Sequence, residues 1–229
     1  MIIAICGLQG SGKDTIGSYL INTHGFTKLS FAGVLKDIVA VLFGWDREML
    51  EGATSESREW RETVDPWWSK KLNMDNLTPR YVLQFFGTEL FRTHFHPDIW
   101  VIAVERQLSK YPNCVITDCR FPNEVDMLRT AGALVIKITR GTLPDWYEPY
   151  KSGLIEKPEN IHPSEYMWIK SQFNYELENN STIKDLEDKV KKILSNEEIA
   201  GYVFSDDDAL LRRKYSNSFG LKLLRHLDT

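Results

Sequence analysis

Three glycines, a lysine and two hydroxyl side chains lie close together near the start of the chain, in the run Gly7-Leu-Gln-Gly-Ser-Gly-Lys-Asp-Thr15. Glycine allows the backbone to wrap an anion with its N–H groups pointing inward, and the amino terminus of a following helix adds partial positive charge. The run fits the phosphate-binding pattern G-x-x-x-x-G-K, except that Asp14 stands where Ser or Thr is usual. The spacing predicts a phosphate-binding loop in which Lys13 reaches the β- and γ-phosphates of a nucleotide. The residues expected to bind phosphate are Gly10, Ser11, Gly12, Lys13, Asp14 and Thr15.

A carboxylate stands at the end of a second apolar run, residues 114–118. Ligands bind at the carboxyl ends of the strands in open α/β sheets, so Asp118 is expected to hold Mg²⁺ or its waters there. The hydroxyl of Thr15 is expected to approach the same ion, directly or through water. The alternative is that Asp118 caps the following turn or pairs with Arg120.

Strands and helices alternate along the chain, which is typical of an α/β fold with a central parallel sheet flanked by helices. An apolar run at 2–6, the glycine loop and a helical pattern come in that order, as a phosphate-binding loop requires. A glycine-rich turn that only joins strand to helix is the alternative. Further strands are predicted at 27–31, 114–118, 134–138 and 173–177, and helices at 34–43, from Pro79 onward, at 122–130 and at 182–194.

Two segments lack clear periodicity. Residues 46–78 are polar and rich in charge and Trp, with weak helical signals, and are predicted to form a mobile lobe rather than core. Residues 141–162 contain three Pro and two Gly, which favours a lid or a disordered loop. The tail, 196–229, is predicted to be a helical extension of two short helices split near Ser216, packed on the core or on a second subunit.

Composition excludes several classes of protein. Lys plus Arg is 28 and Asp plus Glu is 32, which gives a net charge of −4 and argues against a general nucleic-acid binder. No run approaches the roughly 18 apolar residues needed to span a membrane, so no membrane partner is expected. Three irregularly spaced cysteines, with no zinc spacing, fit a reducing cytoplasm. A homodimer is a fair default that the sequence does not establish.

The glycine loop alone is shared by switches, motors and kinases. Its form here, G-x-x-G-x-G-K-x-T, is the one seen in nucleoside monophosphate kinases rather than the form typical of GTPases. Transfer between phosphates needs no general base, so catalysis would rest on positioning and positive charge. Cations from several segments should then converge on the loop, and the candidates are Lys36, Arg80, Arg92, Arg120 and Arg140. Each of them is equally well explained as a solvated surface charge, although Arg120 and Arg140 directly follow predicted strand ends.

Longer motifs add a resemblance. They are the stretches 10–15, 31–37, 84–89 with Arg80, 98–100, 117–124 with 132–133, 139–140, 162–165 and 178–180. In these motifs the chain resembles the deoxynucleoside monophosphate kinases of tailed bacteriophages, a branch of the P-loop kinases akin to adenylate kinase. The stretch Asp118-Cys-Arg-Phe-Pro-Asn-Glu124 is more specific than the glycine loop, and Asp14 fits this family. The resemblance spans about residues 1–195, apart from most of 46–78.

The resemblance implies transfer of the ATP γ-phosphoryl group to a deoxynucleoside 5′-monophosphate, with Mg²⁺, in the cytoplasm of a host cell if the origin is a phage. It implies one kinase domain over 1–195, with a helical acceptor-binding lobe at about 32–100 and a lid at 141–162. Lys13 and the loop would hold ATP, Thr15 and Asp118 would serve the metal, and Arg140 would neutralise the transferring group. Lys36, Arg80 and Arg120 would clamp the acceptor phosphate, although these roles are interchangeable among the basic residues. Other acceptor-binding candidates are Phe31, Gln84, Thr88 and Arg92.

Two other functions stay open at this point. One is a P-loop kinase of another acceptor, such as a modified base in DNA or dephospho-coenzyme A. A DNA acceptor would call for a basic stripe, which the acidic balance disfavours. The other is a nucleotide-binding protein without transfer activity, for which Arg80, Arg120 and Arg140 would be expendable.

Overall fold

A computed structural model describes residues 1–199 of the chain. These residues fold as parts of two units, one of residues 1–28 together with residues from 108 onward, and one of residues 29–107. The acceptor-binding lobe predicted at 32–100 lies within the second unit. The two helices predicted for the tail around Ser216 lie outside the described residues.

The strands are β1 (Ile2–Cys6), β2 (Thr27–Leu29), β3 (Cys114–Ile116), β4 (Leu134–Thr139) and β5 (Tyr175–Glu178). In chain order the helices are α1 (Lys13–His24), α2 (Phe31–Phe43), α3 (Arg47–Glu51), α4 (Ser55–Glu62), α5 (Pro66–Leu72), α6 (Pro79–Gln84), α7 (Ile99–Leu108), α8 (Pro122–Thr130), α9 (Tyr147–Lys151), α10 (Pro163–Tyr166) and α11 (Ile183–Ile199). A π-helix, Phe85–Phe95, follows α6, and a 3₁₀ turn, Met167–Lys170, follows α10.

The sheet runs in the order β2-β3-β1-β4-β5. β1 pairs in parallel with β3 and with β4, and β4 pairs in parallel with β5. All five residues of β1 are buried, as expected for a strand covered on both faces. β1 lies in the middle of this order, with β2 and β3 on one side and β4 and β5 on the other. The strand order therefore changes direction at β1, and open α/β sheets bind ligands at the carboxyl end of the strand where this happens. The predicted α/β fold, with a central parallel sheet flanked by helices, is confirmed.

The core of the first unit packs helices on the sheet. Its apolar side chains come from β1, β3, β4, α1 and α11, and include Ile3, Ile5, Ile16, Leu20, Val115, Ile136, Ile138, Leu186 and Val190. α1 ends at Gly25, whose φ of 69° allows its N–H to bond the carbonyls of Ile21 and Leu20. The helix that begins at the glycine loop is therefore anchored along its length.

The second unit differs from the sequence prediction at residues 46–78. The prediction that they lie outside the core is wrong, because Leu50 and Leu77 are buried, at 0% and 2% exposure, and three short helices form. Each helix has a side-chain cap: Asp46 accepts from the N–H groups of Glu48 and Met49, Thr54 from Ser57, and Asp65 from Trp68. The caps explain helices that hydrophobic periodicity indicated only weakly.

The structure also differs from the long α-helix predicted from Pro79 onward. α6 ends at Gln84 and the chain continues as a π-helix, in which the His96 N–H reaches the carbonyl of Phe91, five residues back. Leu90, which lies in this segment, is 39% exposed. The indole N–H of Trp100 donates to the Gly87 carbonyl at 2.8 Å within this segment. π-helical turns occur frequently at functional sites.

Candidate active site

The glycine loop between β1 and α1 needs glycine at two positions for different reasons. Gly12 has a φ of 106°, a conformation that L side chains rarely adopt, and it directly precedes the first residue of α1. At Gly7, an added Cβ would lie 2.5 Å from the Ile138 carbonyl oxygen and 2.6 Å from the Ser11 hydroxyl. The backbone thus turns sharply beside β4 before the helix begins, as a phosphate-wrapping loop does.

Lys13 spans this loop. Its ammonium donates to the carbonyl of Leu8 at 2.7 Å. Burial, and secondly the nearby Arg120 guanidinium, lower the pKa of Lys13, while Asp14 and Glu165 act in the opposite direction. Two neighbouring cations repel each other, and the repulsion is stronger where one of them is partly desolvated. A bound polyanion would relieve this repulsion.

The Ser11 hydroxyl faces the same loop. Ser11 is 3% exposed, and within residues 1–199 its oxygen has no hydrogen-bond partner. A buried hydroxyl without a partner is rare and calls for an explanation such as a ligand. Its position fits the predicted contact with a phosphate oxygen.

Asp14, the residue that departs from the common loop pattern, is tied to β3. The hydroxyl of Thr117 donates to the Asp14 carboxylate at 2.9 Å. Asp118 follows Thr117 and is half-buried, two residues beyond the end of β3 rather than at its end. The loop, the start of α1 and the carboxyl end of β3 are thereby held together. Thr117 was not predicted as a residue of the candidate site. It falls inside the predicted strand 114–118, where no pattern distinguishes it from its neighbours.

Arg120 is held at both its backbone and its side chain. Its N–H donates to the buried Glu124 carboxylate at 2.7 Å, and its guanidinium donates to Glu165 at 2.5 Å. Glu165 lies in α10, directly after the predicted lid. The Arg120–Glu165 ion pair therefore joins the turn after β3 to α10.

A cavity of about 400 Å³ opens over the glycine loop within the first unit. Arg140, which is exposed, lies on its wall one residue beyond β4. Besides Arg140, its wall consists of Leu8, Gln9, Gly10, Ser11, Thr139, Thr142, Leu143, Pro144, Trp146, Ile161 and Glu165. The segment predicted as a lid thus supplies one side of the cavity and the loop the other.

The predicted lid is ordered around buried aromatic side chains. Tyr147 and Tyr150 are 1% and 6% exposed, and the Tyr150 ring meets Tyr166 edge-to-face with centroids 4.8 Å apart. The Lys170 ammonium lies 4.1 Å from the centroid of Tyr150. Burial is the main cause that raises the pKa of Tyr147 to about 12. These contacts hold the α9 segment on the first unit, so the cavity wall has a packed base.

Two asparagines, Asn179 and Asn180, directly follow β5. The Asn179 amide donates to the Ser11 carbonyl at 2.9 Å, and Asn179 is 9% exposed. The side-chain oxygen of Asn180 accepts from the Gly141 N–H at 2.7 Å. Both residues come soon after the predicted strand 173–177, on the edge of the sheet where the loop lies, so their location was predictable although their bonding partners were not.

The other predicted acceptor-binding residues all belong to the second unit. Phe31 opens α2 and is buried, at 4% exposure. The Lys36 ammonium pairs with Glu51 at 2.9 Å, and the Arg80 guanidinium pairs with Glu62. Both cations are therefore balanced by carboxylates within their own unit.

The remaining three lie on α6 and the π-helix. Gln84 ends α6 and is exposed, while Thr88 and Arg92 are half-buried in the π-helix. Their spacing of four residues places them near one side of this segment. An added Cβ at Gly87 would lie 2.9 Å from Leu35, so this segment approaches α2 closely beside Thr88.

The side chains available for a metal are oxygen donors. Among residues 1–199, no three His, Cys, Asp or Glu side chains form a metal-binding group. Mg²⁺ is usually held by one or two protein oxygens together with substrate phosphates and water, so Thr15 and Asp118 suffice chemically. The three cysteines, Cys6, Cys114 and Cys119, are all buried. None of the helices within 1–199 is long and apolar enough to cross a membrane.

Comparison with known proteins gives one family. Residues 67–190 match the family model for deoxynucleotide monophosphate kinase. An Acanthamoeba polyphaga mimivirus protein, provisionally named a deoxynucleotide monophosphate kinase, is 31% identical over 86% of this chain and 97% of its own. The deoxynucleoside-5′-monophosphate kinase of Escherichia phage T5 is 29% identical over 58% and 74%, and the deoxynucleotide monophosphate kinase of Enterobacteria phage T4 is 22% identical over 61% and 81%. The chain belongs to the deoxynucleotide monophosphate kinase family, and it is an enzyme that transfers a phosphoryl group to a deoxynucleoside monophosphate.

Proposed function

We propose that the protein transfers the γ-phosphoryl group of ATP, bound with Mg²⁺, to a deoxynucleoside 5′-monophosphate and releases the diphosphate. The observation that supports this most directly is the glycine loop with Lys13, which borders a cavity that also contains Arg140. The amides of Gly10 and Gly12 and the ammonium of Lys13 are the groups that would bind the β- and γ-phosphates. Ser11 and Asp14 complete this donor-binding set.

Mg²⁺, when bound, would neutralise developing charge on the phosphate oxygens. Thr15 and Asp118 would hold it, because they are the hydroxyl and the carboxylate placed by the start of α1 and the end of β3. Arg140 would then neutralise the group in transfer from the far wall of the cavity. Arg120, now paired with Glu165, would exchange that partner for phosphate oxygens, to which a guanidinium binds in bidentate fashion.

The second unit is proposed to contribute acceptor-binding side chains of its own. Lys36 and Arg80 would exchange Glu51 and Glu62 for the acceptor phosphate. Gln84 and Thr88 carry hydrogen-bonding groups suited to a base edge, and Arg92 is a further cation on the same segment. Phe31, whose ring is buried at the start of α2, is the apolar member of this proposed set.

The test is a panel of acceptors with ATP and Mg²⁺. All deoxy- and ribonucleoside monophosphates, dephospho-coenzyme A and duplex DNA with a hydroxymethylated pyrimidine are each incubated with the full chain. We expect diphosphate from one or more deoxynucleoside monophosphates at rates at least tenfold above any other acceptor. Preferred phosphorylation of DNA or dephospho-coenzyme A would overturn the acceptor assignment, and ATP binding with no transfer to any acceptor would overturn the proposal as a whole.

A further inference from the structure

Asn180 lies at the point where the backbone leaves β4 for the lid. Its side-chain oxygen accepts the Gly141 N–H at 2.7 Å, from 39 residues further along the chain. The neighbouring Asn179 donates its backbone N–H to the Thr139 carbonyl at 2.8 Å. Arg140 stands between Thr139 and Gly141, so both of its flanking peptide groups are bound by this asparagine pair.

These two hydrogen bonds matter because they fix the backbone on both sides of Arg140. It is exposed, and it is the first residue beyond β4. The next residue, Gly141, has a φ of 63°, which turns the chain away from the strand direction. A guanidinium that must meet a phosphoryl group in transfer works best when its backbone is already fixed, since the ordering entropy is then lost before the reaction.

We propose that Asn180 is a positioning residue for phosphoryl transfer, which acts through Arg140 by fixing the Gly141 peptide. The inference rests on the proposed role of Arg140. It assigns a role in catalysis to a residue that need not touch either nucleotide.

The chain offers a matched control at the opposite end of the same two strands. The side-chain oxygen of Asn174 accepts the Val135 N–H at 2.9 Å, and the Asn174 N–H donates to the Val135 carbonyl at 2.8 Å. Asn174 is exposed, as Asn180 is, and it joins β5 to β4 in the same manner. It lies near the amino end of β4, whereas the cavity lies at the carboxyl end. Because the Val135 bond is partly buried and the Gly141 bond is exposed, a purely structural effect of losing the bond should be at least as large at Asn174 as at Asn180.

The experiment is a double-mutant cycle on the full chain. Asn180→Ala, Asn174→Ala, Arg140→Ala and the pair Asn180→Ala with Arg140→Ala are compared by kcat, by KM for ATP and by thermal unfolding. We expect Asn180→Ala to lower kcat about tenfold with KM for ATP changed less than about threefold, since the bond orders a group needed in the transition state. We expect Asn174→Ala to leave kcat unchanged, and Asn180→Ala to cause less than about a twofold further loss in the Arg140→Ala background.

A second variant, Asn180→Asp, keeps an acceptor oxygen at the same position and should retain most of the wild-type kcat. Equal losses in Asn180→Ala and Asn174→Ala, or a full further loss in the Arg140→Ala background, would overturn the inference while leaving Arg140 in its role. Normal kcat in Arg140→Ala would overturn the role of Arg140 and the inference with it. Because Asn180 is exposed, its variants are expected to fold, and Tm reports this directly.

Discussion

The guanidinium of Arg120 donates to the Glu165 carboxylate at 2.5 Å, and the same guanidinium is one cause of the lowered pKa of Lys13. Glu165 acts on Lys13 in the opposite direction. Two cations and one carboxylate therefore influence one another at the carboxyl edge of the sheet. If a nucleotide phosphate binds at this cluster, as proposed, it would compete with Glu165 for both cations.

Glu165→Gln removes this competing charge, and we expect it to tighten ATP binding several-fold at low salt, with a smaller effect at high salt. Titration calorimetry of ATP with the wild type and the variant measures it. Folding stability should change by less than about 1 kcal/mol, since the pair is partly exposed. Asp188→Asn, which breaks the exposed Lys184–Asp188 pair, is the matched control. Unchanged or weaker ATP binding by Glu165→Gln would show that Glu165 contributes something other than competition.

The lowered pKa of Lys13 predicts how donor binding depends on pH. The ammonium form binds phosphate, and its pKa lies below the ordinary value of 10.5, so ATP affinity should begin to fall at a lower pH than for an ordinary lysine. In the ligand-free protein the sign is opposite: the free energy of unfolding should rise with pH between the lowered pKa and 10.5, because the unfolded chain binds more protons there.

Lys13→Arg is the control, because its guanidinium stays protonated across this range. ATP affinity measured from pH 7 to 10 should then lose the Lys13 component of its pH dependence. Lys13→Ala should lower kcat by about 100-fold or more with an unchanged fold. An identical pH profile in the wild type and Lys13→Arg would contradict the predicted titration.

Gly12→Ala should damage both folding and donor binding. The φ of 106° is strained for alanine, and the added Cβ would lie 2.5 Å from the Asn179 amide that holds the Ser11 carbonyl. Gly132→Ala is the matched control, since its φ is 79° but nothing lies within 4 Å of an added Cβ. Backbone strain should destabilise both variants by about 1–3 kcal/mol, as measured by denaturant unfolding. Only Gly12→Ala should also weaken ATP binding, and equal ATP affinity in the two variants would contradict the role of the Asn179 contact.

Asp118→Asn should abolish turnover without unfolding the protein, because it replaces the carboxylate proposed to hold Mg²⁺ by a neutral amide of equal size. The measurement is kcat as a function of Mg²⁺ concentration, with Asp126→Asn, an exposed residue of α8, as control. Turnover near the wild-type level at ordinary Mg²⁺ concentration would remove Asp118 from the metal site.

The sequence predicted the sheet and the loop because both depend on local signals. β1 is an unbroken apolar run, and the loop is defined by glycine spacing, so neither requires knowledge of distant contacts. The helices at 46–78 were missed because their stability comes from caps at Asp46, Thr54 and Asp65 rather than from an apolar stripe. The π-helix was missed because it depends on close packing at Gly87, which a pattern of period 3.6 does not contain.

The same distinction, between local sequence signals and distant contacts, applies to the candidate site. The loop residues and Arg140 were identifiable from their positions after strands, and both lie on the cavity wall. The contacts from Thr117 and Asn179 were not identifiable, because each joins segments more than 100 residues apart. Sequence motifs thus named the groups proposed to bind the nucleotide, while the groups that hold them in place required three-dimensional contacts.

The most direct test of the account follows the label from γ-labelled ATP in the presence of Mg²⁺ and a single deoxynucleoside monophosphate. We predict that the label appears as the β-phosphate of the deoxynucleoside diphosphate, with one ADP formed for each product, and that Lys13→Ala abolishes this transfer. Label recovered only as inorganic phosphate, at a rate that does not depend on the monophosphate, would contradict it.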